Sequence, residues 1–261
     1  MSVVTQIRNI FVYIWFVAVM LIRLPLRAKV NRLMDAGEFE EAQRRIHAFA
    51  KHFASTGCKL LGVRITVEGL DNVPKEGSVL YVGNHQSMFD PPLMLATLPR
   101  PSGFICKEEL GNVPLFSKWV AATGSFFLPR TESRKSLEVI LGAAKLLKQH
   151  EHGMCVFPEG TRSDDGNMRP FKPGSLKIAM RSGAAIVPFA LEHTIDVMPR
   201  GSIWIKPLEV RVTFLPAILP EEYKGKDTAT LSERIQADIA DIVGCSIVSD
   251  DPDKKESEEK E

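Results

Sequence analysis

The chain has 261 residues, 44% of them hydrophobic and 25% charged, and 33 basic against 32 acidic side chains leave a net charge of +1. That length can bury one sizeable core, and the composition is that of an ordinary globular protein, not a disordered or fibrous one. Cys58, Cys106, Cys155 and Cys245 stand far apart with no CxxC, and no His, Cys and carboxylate cluster has metal-ligand spacing, so neither a disulfide framework nor a metal site is expected. No cofactor and no nucleic-acid partner are expected.

Charge is spread unevenly. Residues 1–34 carry Arg8, Arg23, Arg27, Lys29 and Arg32 and no acid, whereas residues 249–261 carry seven acids against three lysines. A basic start and an acidic end suggest a surface partner at the first and a solvated tail at the second.

Ile10–Ile22 is an unbroken apolar run bounded by Arg8 and Arg23. As a helix of about 20 Å it falls short of a hydrocarbon core of ~30 Å. No small-residue cleavage site follows it. It is expected to lodge in one leaflet, with Tyr13, Trp15 and the flanking arginines at the interface. From Glu38 to Leu61 the pattern is amphipathic, with Phe39, Ala42, Ile46, Phe49 and Phe53 on one face. Residues 1–61 are thus expected to form a two-helix hairpin for membrane association.

Residues 62–248 read as an α/β domain, a central and largely parallel sheet flanked by helices. Strands are expected at Val63–Val67, Ser78–Val82, Phe104–Lys107, Ser125–Leu128, Met154–Phe157 and Ala185–Phe189, with added edge strands at Ile203–Lys206 and Val210–Leu215. Helices are expected from Asp90 to about Leu98, near Leu115–Thr123, and over Ser133–His150, Ser175–Arg181 and Leu231–Val243. Residues 249–261 are expected to be a disordered acidic tail.

Chemistry concentrates where strands end. After Ser78–Val82 comes Asn84-His85-Gln-Ser-Met-Phe-Asp90-Pro-Pro. An imidazole is a good general base near neutral pH, and a carboxylate on its other nitrogen would fix the tautomer. Asp90 would cap the helix that Pro91 opens. The bland alternative is a loop histidine beside an ordinary capping residue. The second motif, Phe157-Pro-Glu159-Gly160-Thr161-Arg162, is a tight turn after a strand, suited to an anion, with Arg162 as a positive fork. Lys107 and Arg130 end neighbouring strands, and with Arg162 they would make a phosphate pocket; Lys172 is a further candidate to face the site. Backbone amides near His85 or Gly160 are candidates to hold an oxyanion.

In order and spacing these blocks, with Gly124–Arg130 and Ile186-Val-Pro188, resemble the four blocks of the glycerolipid acyltransferases, above all the 1-acylglycerol-3-phosphate (lysophosphatidate) acyltransferases. The resemblance covers roughly residues 60–215. Pro129 and Phe189 depart from it, standing where an acidic residue and a smaller aliphatic are common. It implies that His85, oriented by Asp90, takes the proton from the sn-2 hydroxyl of the lysolipid. That oxygen would attack the thioester of acyl-CoA or acyl-carrier protein, a co-substrate and not a cofactor. Lys107, Arg130, Glu159, Gly160, Thr161 and Arg162 would hold the acceptor phosphate. The implied partners are a membrane lipid acceptor, the donor and the membrane surface, at the cytoplasmic face of the inner (plasma) membrane. Other acceptors (lyso-ornithine lipid, another lysophospholipid, glycerol 3-phosphate) and a non-catalytic lipid-binding module are the competing expectations.

Overall fold

The computed structural model describes residues 2–129 and 133–248. Helices α1 (Val3–Ile22), α2 (Leu24–Asp35) and α3 (Phe39–Leu61) come first, then β1 (Arg64–Glu68), β2 (Val79–Gly83), α4 (Asp90–Thr97) and β3 (Ser102–Lys107). The chain continues through α5 (Phe116–Ala122), β4 (Phe126–Leu128), α6 (Ser133–Gln149), β5 (Gly153–Val156), α7 (Lys177–Ser182) and β6 (Ala185–Glu192). It closes with α8 (Thr194–Val197), β7 (Glu209–Phe214), α9 (Pro220–Tyr223) and α10 (Thr228–Val243).

The seven strands form one sheet in the order β1-β7-β6-β2-β5-β3-β4, parallel except for the β6–β7 pair. Its central strands are buried on both faces, which is why Val79-Leu-Tyr-Val82 and Ala185–Leu191 read as continuous apolar runs. Alternation still sorts their side chains. Leu80, Val82, Met154 and Ile186 meet α6, α7 and α10 on one side, while Val79, Tyr81, Cys155 and Val187 meet α3 and α4 on the other. Each large apolar side chain enclosed this way contributes roughly 1.5–3 kcal/mol.

The N-terminal segment corrects the expected two-helix hairpin: it holds three helices. Pro25 lies in the first turn of α2, where its missing N–H costs nothing, but it cannot prolong α1, so the chain breaks at Arg23 and restarts. Helix α1 is also longer than its apolar core. Ser2 caps it by accepting from the Thr5 N–H, and its twenty residues are long and apolar enough to cross a membrane. One face, with Thr5, Asn9, Val12 and Met20, is buried. Val3, Ile7, Ile10, Ile14, Val17 and Leu21, at helical spacing, are exposed.

Two further expectations change. Residues 203–206 form no strand, because the Ile205 backbone is bonded on both sides to the Asn9 side chain instead of to a neighbouring strand. The strand at 209–214 is interior, since β1 pairs along its outer side with Ile65 opposite Val210.

Strands β2, β5, β3 and β4 are parallel, so their carboxyl ends share one edge of the sheet, where open α/β sheets place their ligands. On that edge lie the loops that begin at Asn84, Phe157, Glu108 and Pro129.

Candidate active site

The loop from Asn84 to Phe89 is bonded at nearly every residue. Asn84 is buried, and its amide clasps the Leu191 backbone in both directions, Nδ2 donating to the carbonyl at 2.9 Å and Oδ1 accepting from the N–H at 2.8 Å. The Thr194 hydroxyl donates to Gln86 Oε1, and the Ser87 hydroxyl donates to the Met198 carbonyl at 2.8 Å. Gly83, at the mouth of the loop, is needed for close approach: a Cβ there would stand 2.3 Å from the Phe189 ring.

Asp90 is the first residue of α4 and does not cap it; Phe89 holds the cap position. The Asp90 carboxylate turns back over the loop instead. It is fully buried, and its Oδ2 accepts from His85 Nδ1 at 2.7 Å and from the Gln86 and Ser87 N–H groups at 2.7 and 2.8 Å. A carboxylate already taking two backbone amides requires a third donor from the ring, which assigns the proton to Nδ1 and the lone pair to Nε2. The His85 side chain is 14% exposed, so the Nε2 edge is open to a reactant.

Phe157, the residue after β5, stacks on the His85 ring with centroids 4.3 Å apart and planes 21° apart. It meets Phe189 edge-on at 5.8 Å, so the imidazole rests on an aromatic shelf.

Glu159 does not meet Arg162. It is 3% exposed and spends both oxygens on backbone: Oε1 accepts from the His85 N–H at 2.7 Å and Oε2 from the Arg169 N–H at 2.8 Å. Burial pushes its carboxyl up to about 7 against the pull of those two amides. The Ser163 N–H donates to the His85 carbonyl at 2.8 Å, so the two motifs are sewn together at His85. Gly160 takes a left-handed turn at φ +70°, with the Lys172 ammonium lying against its α-carbon.

The backbone amides singled out for an oxyanion are engaged inside the fold. Those of Gln86 and Ser87 serve Asp90, that of His85 serves Glu159, and that of Gly160 donates to the Phe157 carbonyl. Thr161 and Arg162 are half-buried on the turn after Gly160. Lys107 is half-buried at the end of β3, two strands from β2, roughly 10 Å across the sheet. Arg130 lies outside the described residues. Among the described residues no group of His, Cys, Asp or Glu is placed to hold a metal ion.

The sequence pattern of the acyltransferase family matches residues 64–192, from β1 to the end of β6. A 1-acyl-sn-glycerol-3-phosphate acyltransferase of Borreliella burgdorferi is 30% identical over 189 residues, 72% of each chain. The chain belongs to the acyltransferase family. The chloroplastic acyltransferase LPAT1 of Arabidopsis thaliana is 34% identical over 166 residues, 63% of this chain but only 46% of that longer one. In fold, the chain is similar to the crystal structure of the 1-acyl-sn-glycerophosphate (LPA) acyltransferase PlsC from Thermotoga maritima, with a TM-score of 0.74 and 25% identity. That likeness covers 92% of this chain and 96% of the other.

Within this acyltransferase, the sequence pattern gave Phe157, Asn84 and Ser87 no role, although all three shape the surroundings of His85. Phe157 carried a signal: a large ring placed directly between a buried strand and a Pro-Glu turn has only the sheet edge to cover.

Proposed function

We propose that the protein transfers an acyl group from a thioester to the sn-2 hydroxyl of 1-acylglycerol 3-phosphate, making phosphatidate. The observation that carries this reading is the His85–Asp90 pair: a fully buried carboxylate fixed by two amides holds Nδ1 and leaves Nε2 open at the edge of the sheet.

His85 Nε2 takes the hydroxyl proton as the oxygen attacks the thioester carbonyl carbon, and the imidazolium that forms is held by Asp90 and faced by Phe157. The tetrahedral intermediate then collapses, the C–S bond breaks, and the proton passes from Nε2 to the departing thiolate. The thioester is already activated, so positioning and base catalysis account for most of the barrier reduction, and no covalent intermediate on the enzyme is needed. Lys107, Arg130 and Arg162 are assigned to the acceptor phosphate with the Gly160–Thr161 turn, and Lys172, lying over that turn, joins them. Glu159 holds the loops and does not touch the acceptor. The donor is acyl-CoA or acyl-carrier protein.

Residues 1–61 serve membrane association, at the cytoplasmic face where such donors are found. The exposed apolar face of α1 supports this role. Its opposite face is tied to the α/β domain, which favours a helix lying in one leaflet over one that crosses.

The test is acyl transfer by purified protein in phospholipid vesicles, with lysophosphatidate as acceptor, the two donors offered separately and His85→Ala alongside. Phosphatidate from the parent and none from the variant is the expected result. No phosphatidate with either donor would overturn the acceptor assignment, and product from other lysolipids would name the replacement.

A further inference from the structure

The residue that joins the apolar N-terminal helix to the catalytic loop is Asn9. Its side chain is fully buried, at 0% exposure, with both Nδ2 hydrogens and the Oδ1 oxygen engaged. Nδ2 donates to the Thr5 carbonyl and to the Ile205 carbonyl, each at 2.9 Å, and Oδ1 accepts from the Ile205 N–H at 2.8 Å. One turn along, the Tyr13 hydroxyl donates to the Ile203 carbonyl. The irregular segment after α8 therefore has α1 as its hydrogen-bonding partner, in place of a neighbouring strand.

The same segment is bonded to the catalytic loop at its other end. The Lys206 N–H donates to the Val197 carbonyl at 2.8 Å, closing residues 197–206 into a loop. The carbonyl of the next residue, Met198, accepts from the Ser87 hydroxyl at 2.8 Å, and Arg200 pairs with Asp164 beside the Ser163–His85 bond. Ser87 in turn donates its N–H to Asp90 Oδ2, the oxygen that holds His85. Each link is a hydrogen bond between well-packed groups, because Ile205 and Val197 are buried in the core shared with β2 and α4. The path from Asn9 to His85 runs through one short loop and one hydroxyl.

We infer that Asn9 is a positioning residue: it fixes the 197–206 loop against α1 and, through Met198 and Ser87, sets the Asp90–His85 pair relative to the helix that faces the lipid. The kinetic arm of the test rests on the acyl-transfer reading; the exchange arm does not.

The variants are Asn9→Leu, which keeps the branched outline and removes the clamp, and Val12→Ala, which loosens the same buried face of α1 but leaves the Asn9–Ile205 hydrogen bonds in place. Tyr13→Phe is the milder substitute should Asn9→Leu fail to fold. Amide hydrogen exchange is followed by mass spectrometry on peptides spanning 84–90 and 197–206, with kcat and KM measured on lysophosphatidate in vesicles. Asn9→Leu is expected to speed exchange in both peptides and to lower kcat about tenfold, with KM held within about twofold. Tyr13→Phe shifts both in the same direction by less. Val12→Ala, at a similar loss in Tm, leaves exchange in 84–90 and kcat as in the parent. Unchanged exchange in 84–90 for the Asn9 and Tyr13 variants, or an equal rise in Val12→Ala, would overturn the coupling. A parent that transfers acyl groups to no lysolipid but shows the expected exchange pattern would overturn the acyl-transfer reading and leave the coupling standing.

Discussion

Replacing Glu159 with Gln separates the charge of that side chain from its shape. In the folded protein burial raises its carboxyl from 4.5 to about 7, opposed by the Arg169 and His85 amides, with the Asp90 charge adding to the rise. Between those two values the folded state keeps a proton that the unfolded chain releases. Folding is therefore linked to proton uptake, and this group's contribution to stability falls as pH rises from about 4.5 through about 7. At about 1.4 kcal/mol per tenfold change in proton affinity, the full span corresponds to roughly 3 kcal/mol. Gln has no such slope. It has one acceptor oxygen for the two amides, so one N–H of His85 or Arg169 faces an NH2 group, which costs roughly 1–3 kcal/mol. At pH 8 these effects nearly cancel, whereas at pH 5, where Glu159 is neutral in the folded parent, Gln is the less stable side chain. Urea unfolding of parent and Glu159→Gln at both values tests this. The measured quantity is the change in their difference with pH, in which titrations common to both proteins drop out. Parallel stability curves across that range would refute the argument that Glu159 holds its proton in the fold.

His85→Ala is expected to lower kcat by at least about a hundredfold with vesicle binding intact, read by product formation and co-sedimentation. Asp90→Asn should act on both activity and fold. Its amide cannot accept from the ring and both backbone N–H groups as the carboxylate does, and a drop in Tm together with a large loss of kcat is the expected pair of results. Phe157→Leu keeps an apolar shelf under His85 but removes the stacked ring, and a few-fold loss of kcat, about what one aromatic–cation contact of roughly 0.5–1 kcal/mol supplies, with Tm within a few degrees of the parent, is the expected result. Ile14→Asp, on the exposed face of α1, should weaken vesicle binding while leaving the thermal unfolding midpoint within a few degrees of the parent.

The His85–Asp90 pair was legible in the sequence because its geometry is local: five residues, one turn and a helix start bring the groups together. The sheet was legible for a similar reason, since doubly buried parallel strands leave unmistakable apolar runs. Glu159 was visible as a candidate and its task was not, because its partners are backbone amides at residues 85 and 169, set by the packing of two loops. Ile203–Lys206 misled because Ile203 and Ile205 alternate with larger side chains as in a strand. The amides that would have entered a ladder were taken by Asn9, and nothing in either local pattern announces a partner 196 residues away. The break between α1 and α2 could have been read from Pro25, whose signal was hidden by the apolar run before it.

That distance has a consequence for how the molecule is made. Asn9 cannot reach Ile205, nor β1 reach β7, until nearly the whole chain has left the ribosome. At roughly 5–20 residues per second, the 196 residues between clamp and target correspond to about ten to forty seconds of synthesis. Through that interval α1 can pack on α2 and α3, but Asn9 lacks its partner at Ile205. The Asn9 clamp therefore closes late, and the 197–206 loop acquires its hydrogen bonds to α1 only once nearly the whole chain has been made.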